Sequence, residues 1–76
     1  MKNISTDAVA ARLRVARAAR GMQARDLARQ IGISTPRMSR LERAHQLPRD
    51  EEIDKIADVL GIDGAWLRDP RPLTFV

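Results

Sequence analysis

Thr35, Arg37, Arg40 and Arg43 bring one hydroxyl and three guanidinium groups into a single short stretch of the chain. They lie off the apolar positions Met38 and Leu41, so a helix here would turn them to solvent. A guanidinium is a planar fork of N–H donors that fits phosphate oxygens and the O6/N7 edge of guanine. This is chemistry for holding a polyanion. Chemistry for breaking bonds is missing: His45 is the sole histidine, there is no cysteine, and no nucleophile–base pair or metal-ligand spacing is visible. His45 reads as a loop residue. Asp50, Glu51, Glu52, Asp54 and Asp58 read as a solvated helix face, so no catalytic residue, metal or cofactor is expected.

Two short helical patterns must position those groups. In the first, Leu27, Ala28 and Ile31 share a face, and in the second Met38 and Leu41 do, with Ile31-Gly32-Ile33-Ser34 as the turn between them. Gly32 stands where the first helix has to stop, a position that often needs the left-handed conformation. Two helices joined by a tight turn and buried against one core make a helix-turn-helix.

The remaining elements follow in order. Helix 1 is expected to start after Thr6 or Asp7, either of which could cap it, and to end at Gly21. Val9, Leu13 and Ala16 would face inward, with Arg12, Arg14, Arg17 and Arg20 on the other faces. Helix 2 spans about Ala24 to Ile31, with Met22 tucked in ahead of it. Helix 3 begins at the Thr35-Pro36 step with Thr35 as its cap, and ends near Ala44. Helix 4 takes Asp50 to Leu60 around Ile53, Ile56, Ala57 and Leu60, and Gly61 closes it. Asp63 caps a last short helix bearing Trp66 and Leu67. The prolines of DPRPLTFV then exclude further helix. The expected fold class is all-α: a compact five-helix domain over residues 1–68 with a short extended C-terminal tail over 69–76.

The sequence has 76 residues with a net charge of +4, which understates an asymmetry. Residues 1–49 carry eleven Lys/Arg against Asp7, Asp26 and Glu42, a net +8, while residues 50–76 carry a net −4. Such a field favours a polyanion on one side of a small domain. No apolar run approaches the ~20 residues of a membrane span. The N-terminal MKNISTDAV lacks a signal-peptide core, so a soluble cytoplasmic protein is expected.

From Leu13 to Leu67 the chain resembles the Cro and phage-repressor class of helix-turn-helix domains, the XRE family, whose fold is lambda-repressor-like. The residues that carry the likeness are Leu13-Arg14, Arg17, Gly21-Met22, Leu27-Ala28 and Ile31-Gly32-Ile33-Ser34. It continues through Met38-Ser39-Arg40-Leu41-Glu42-Arg43, Pro48, Ile56-Ala57, Leu60-Gly61-Ile62 and Trp66-Leu67. The resemblance implies a recognition helix at 35–44 in the major groove of double-stranded DNA, and a homodimer on a palindromic operator. It assigns base reading to Thr35, Pro36, Ser39 and Arg40, and phosphate contacts to Arg14, Gln23, Arg37 and Arg43. It also implies a structural ion pair between Arg17 and Glu42. The chain departs from the pattern in three places. Ala24 stands where a phosphate-anchoring glutamine is usual, Ala44 where glycine ends the recognition helix, and Arg49-Asp50 where a serine cap and an apolar residue open helix 4.

For the tail, Leu73 and Phe75 alternate with Thr74 as a strand would and could pair across a dimer; they could equally fold back on helix 5 or fray. The expected dimer surface is Ile62, Trp66, Arg68, Leu73 and Phe75. The function expected is that of a transcriptional repressor, with no room in the chain for an inducer domain. Two alternatives stand beside it. One is an antitoxin that also binds its operator, the other an interaction module that does not read DNA. A protein partner would be a toxin for the antitoxin and an anti-repressor for the repressor.

Overall fold

The computed structural model describes residues 5–73. Among these are five helices and no strand: α1 Thr6–Ala19, α2 Ala24–Ile31, α3 Thr35–Glu42, α4 Asp50–Leu60 and α5 Gly64–Arg68. None is long and apolar enough to cross a membrane. The stripes read from the sequence converge on one core. Val9, Leu13 and Ala16 of α1 meet Leu27, Ala28 and Ile31 of α2, Met38 and Leu41 of α3, Ile53, Ile56 and Leu60 of α4, and Leu67 of α5. In the resulting arrangement α2 packs on α3 and α4, while α1 packs on α3 and α5 and α4 on α5. The eight-residue α3, about 12 Å long at 1.5 Å per residue, is thus braced from behind by two helices.

The helix starts correct two expectations. Ser5, not Thr6 or Asp7, caps α1, accepting a hydrogen bond from the Ala8 N–H at 3.3 Å. At α3 the cap is Ser34, whose Oγ accepts from the Arg37 N–H at 3.1 Å, with Thr35 and Pro36 forming the first turn. Both shifts have one cause: the capping residue is extended and lies outside the helix, and serine was available one position earlier. At α3 the consequence reaches the surface, because the Thr35 hydroxyl is released from capping and left exposed.

Four helices end in one motif. A residue in the left-handed conformation follows the last turn, and the N–H after it bonds five residues back: Met22 to Arg17, Ile33 to Ala28, His45 to Arg40 and Ile62 to Ala57. At three of these ends the pair reads glycine then an apolar residue, and Met22, Ile33 and Ile62 all pack against the core. The fourth, at the end of α3, is Ala44-His45. Ala44 has φ 64°, the one positive φ on a non-glycine among the described residues, and His45 is exposed. α3 therefore stops as it would with glycine, ending at Glu42 rather than near Ala44, but under backbone strain. Ala44→Gly should relieve it by about 1 kcal/mol and raise Tm by roughly 4–8 °C, measured by thermal unfolding.

Candidate nucleic-acid interface

The outer face of α3 is set by what its inner face buries. Met38 and Leu41 are fully buried, which turns Thr35, Pro36 and Arg40 to solvent and leaves Ser39 half-buried at the edge. Of the four residues expected to read bases, three are thus fully presented. The helix is held on its scaffold by a second set of contacts. Arg17 of α1 donates to Glu42 of α3 through Nε at 2.6 Å and Nη2 at 3.0 Å, a two-pronged pair, and its Nη1 reaches the Met22 carbonyl at 2.7 Å. Arg14 donates to the Glu42 carbonyl at the C-terminal end of α3, where a cation complements the helix dipole. Arg14 remains exposed, with further N–H groups for an anion.

Arg37 is where the expectation changes. Assigned to phosphate by resemblance, it is half-buried and its fork closes on Glu52, with Nη2 to Oε1 at 2.7 Å and Nε to Oε2 at 3.2 Å. Its Nη1 donates to the side-chain oxygen of Gln46. With all three nitrogens engaged within the chain, Arg37 braces α3 against α4 and is not presented to a phosphate.

Its partner corrects the reading of the acidic face. Glu52 is 3% exposed, although its neighbours Asp50, Glu51, Asp54 and Asp58 are solvated as expected. Besides Arg37, its Oε1 accepts from the Arg49 N–H at 2.7 Å, closing the first turn of α4 from its third position as in a capping box. Burial by itself would raise the pKa of this carboxyl, but the Arg37 hydrogen bonds, the Arg49 N–H and both arginine charges outweigh it and hold the pKa below the ordinary value. A glutamate three residues past a helix cap was the available sequence signal.

Arg12, expected on an outer face of α1, is instead 4% exposed. It lies under the chain that follows α5, where Nη1 donates to the carbonyls of Asp69 at 2.9 Å and Arg71 at 2.7 Å. The guanidinium carbon sits 5.5 Å from the centroid of the Trp66 ring, a cation–π contact. Spacing carried the signal, since Val9, Arg12, Leu13 and Ala16 form one stripe. Asp69 is held well below the usual carboxylate range by hydrogen bonds from Arg71, with a smaller contribution from the Arg12 charge. The start of the tail is therefore fastened to its own domain. Arg20, although exposed, donates to the Leu60 carbonyl at the end of α4 at 2.8 Å.

Three arginines of α1 and Arg20 at its C-terminal cap thus serve backbone carbonyls or an internal carboxylate, and Arg12 and Arg17 are withdrawn from full exposure, so the +8 over residues 1–49 overstates the charge offered outward. Arg14, Arg20, Arg25, Arg29, Arg40, Arg43 and Arg49 remain exposed. Arg43 forms the C-terminal cap of α3 and Gln23 the N-terminal cap of α2, both with exposed side chains that make no capping bond. Among the residues expected at a dimer surface, Ile62 and Trp66 pack on their own core, half-buried. Arg68 pairs with Asp54 at 3.1 Å and Asp50 at 3.6 Å in the same chain. Leu73 is half-buried, and Phe75 lies outside the described residues.

A family model described as a helix-turn-helix domain matches residues 8–69, a span that takes in all of α2 to α5 and all but the first two residues of α1. The chain belongs to the helix-turn-helix domain family. Within that family, α2 and α3 are the two helices of the motif, and Gly32, with φ 77°, makes the turn between them. The chain is also similar to a solved structure described as a hypothetical transcription factor, NHTF, from Neisseria. The likeness has a TM-score of 0.79 at 29% identity, over 86% of this chain and 75% of that one. No curated protein sequence matches. A helix-turn-helix whose second helix buries Met38 and Leu41 and exposes Thr35, Pro36 and Arg40 has the parts needed to enter a groove about 12 Å wide.

Proposed function

We propose that this helix-turn-helix protein is a DNA-binding regulator of transcription that lays α3 in the major groove and represses by occupying a palindromic operator as a homodimer. The observation that carries the reading is the exposure of Arg40 on a helix fixed from behind by Arg17–Glu42 and Arg37–Glu52. A guanidinium on a rigid helix can bond O6 and N7 of one guanine together, which is the commonest specific contact in the major groove. Thr35, its hydroxyl free of capping duty, and Ser39 supply hydrogen bonds to neighbouring base edges, and Pro36 meets a thymine methyl. Gln23, Arg14 and Arg43 flank this face and take phosphates, setting register without reading sequence. Arg37 is assigned to bracing. The likeness to a solved chain titled as a transcription factor supports the regulatory role. Dimer contact falls to Trp66 on α5 with Ile62 and Leu73, three apolar groups that stay half-buried in their own chain.

The test is selection of bound duplexes from a random DNA pool at two salt concentrations. Phosphate contacts alone give binding that falls steeply with salt and enriches no motif. A palindrome with half-sites about one helical turn, ~34 Å, apart is the expected result. Binding without enrichment at either salt would overturn sequence reading.

A further inference from the structure

The loop between α3 and α4 holds a side chain that the foregoing uses only as a partner of Arg37. Gln46 is exposed, yet its Oε1 receives two donors from the recognition helix, Nη1 of Arg37 and, at 3.3 Å, Nε of Arg40. Arginine has donors only, so the amide must turn its oxygen to this pair. Arg37 and Arg40 lie one turn apart on α3, and the same oxygen bridges them. Arg37 is itself fixed by the buried carboxylate of Glu52. A continuous series of hydrogen bonds therefore runs from the interior of α4 through Arg37 and Gln46 to Arg40, the exposed group at its end.

We infer that Gln46 is a specificity-determining positioning residue, which tethers Nε of Arg40 and thereby leaves its terminal Nη1/Nη2 fork as the part offered to a guanine. This rests on the proposed reading of DNA by Arg40 and adds the cause of its orientation. An untethered arginine on a helix surface samples many rotamers, and fixing it before binding removes that ordering from the binding step. The tether is neutral, so it fixes the fork without cancelling its charge, as a carboxylate in the same place would. The Ala44 turn delivers it: the left-handed residue reverses the chain at the end of α3, bringing Gln46 back beside the helix it follows.

The experiment compares Gln46→Met, which keeps length but removes the acceptor, with Arg40→Ala and the double variant. Each is titrated against a duplex recovered by selection with the unaltered protein and against a random-sequence duplex. Gln46→Met is expected to weaken binding to the selected duplex about 3- to 10-fold and to relax the guanine preference, with binding to the random duplex unchanged. In the Arg40→Ala background the same substitution should have no effect. Unchanged binding to the selected duplex would overturn the inference. So would an equal loss in the Arg40→Ala background, the mark of a general loop defect, or an equal loss on the random duplex, the mark of a direct phosphate contact. If Arg40→Ala itself leaves selected-duplex binding intact, the proposed recognition surface fails. If Arg40→Ala loses it and Gln46→Met does not, the positioning role alone fails.

Discussion

Arg40→Ala is expected to remove about 10- to 100-fold of affinity for the selected duplex while the domain stays folded. The size follows from one bidentate guanine contact, about 1–3 kcal/mol of discrimination. Arg40 is exposed, and among the described residues its side chain makes only the Gln46 hydrogen bond at 3.3 Å, so no core contact is lost with it. On a random duplex the loss should be no more than that of one phosphate neighbour, which separates reading from attraction. Arg43→Ala supplies the comparison. It should weaken both duplexes alike and lower the slope of log affinity against log salt by about 1. Equal losses on both duplexes for Arg40→Ala would make it another phosphate contact and move the reading elsewhere.

The largest effect on stability should come from Glu52→Ala. Removing one partner of a buried pair strands the other, and such changes cost about 3–5 kcal/mol when the remaining charge has no route to water. Arg37 keeps 19% of its side chain exposed and can relax outward, so about 3 kcal/mol is expected, including the lost bond to the Arg49 N–H. That corresponds to a fall in Tm of roughly 12–24 °C for a domain of this size. Glu52→Gln, which retains an acceptor, should fall between the two.

The same residue sets an acid dependence. The Glu52 carboxyl titrates below its ordinary value in the folded chain, so its contribution is complete above the ordinary glutamate pKa of about 4.3. It is lost as pH falls from there through the lowered folded value. Stability measured by denaturant titration should therefore decline on acidification below about pH 4.5 in the unaltered protein, and less steeply in Glu52→Gln. An identical decline in both would place the acid sensitivity in other carboxylates.

Much of this architecture was legible without coordinates because it is local. The bounds of α2, α4 and α5 follow from apolar spacing at Leu27/Ile31 and Ile53/Ile56/Leu60, from Gly32 and Gly61 as stops, and from Asp63 as a cap. Each of those signals acts within one or two turns of chain. Even the two misplaced caps were off by one residue at α3 and by one or two at α1, since serine, threonine and aspartate compete for the same geometry at neighbouring positions. The exposed positions on α3 were readable for a related reason: once Met38 and Leu41 point inward, helical geometry fixes where Thr35, Pro36 and Arg40 point.

Apart from Arg17–Glu42, which the resemblance implied, the partners of charged side chains were not readable in this way. Sequence spacing alone set the stripe of Val9, Arg12, Leu13 and Ala16 and the third-position glutamate of α4, but a charge on an amphipathic helix is placed outward by default. Burial of Arg12 depends on carbonyls 57 and 59 residues away, and that of Glu52 on a guanidinium 15 residues away. Such a group goes inside only where several donors and acceptors converge to replace its water, and that convergence exists only after the helices have packed. By itself the sequence determined five helices, their inward faces and a helix-turn-helix that presents Arg40. The tertiary structure alone decided which arginines brace the fold and which remain free for DNA, because desolvating a charge is settled by all the elements around it at once.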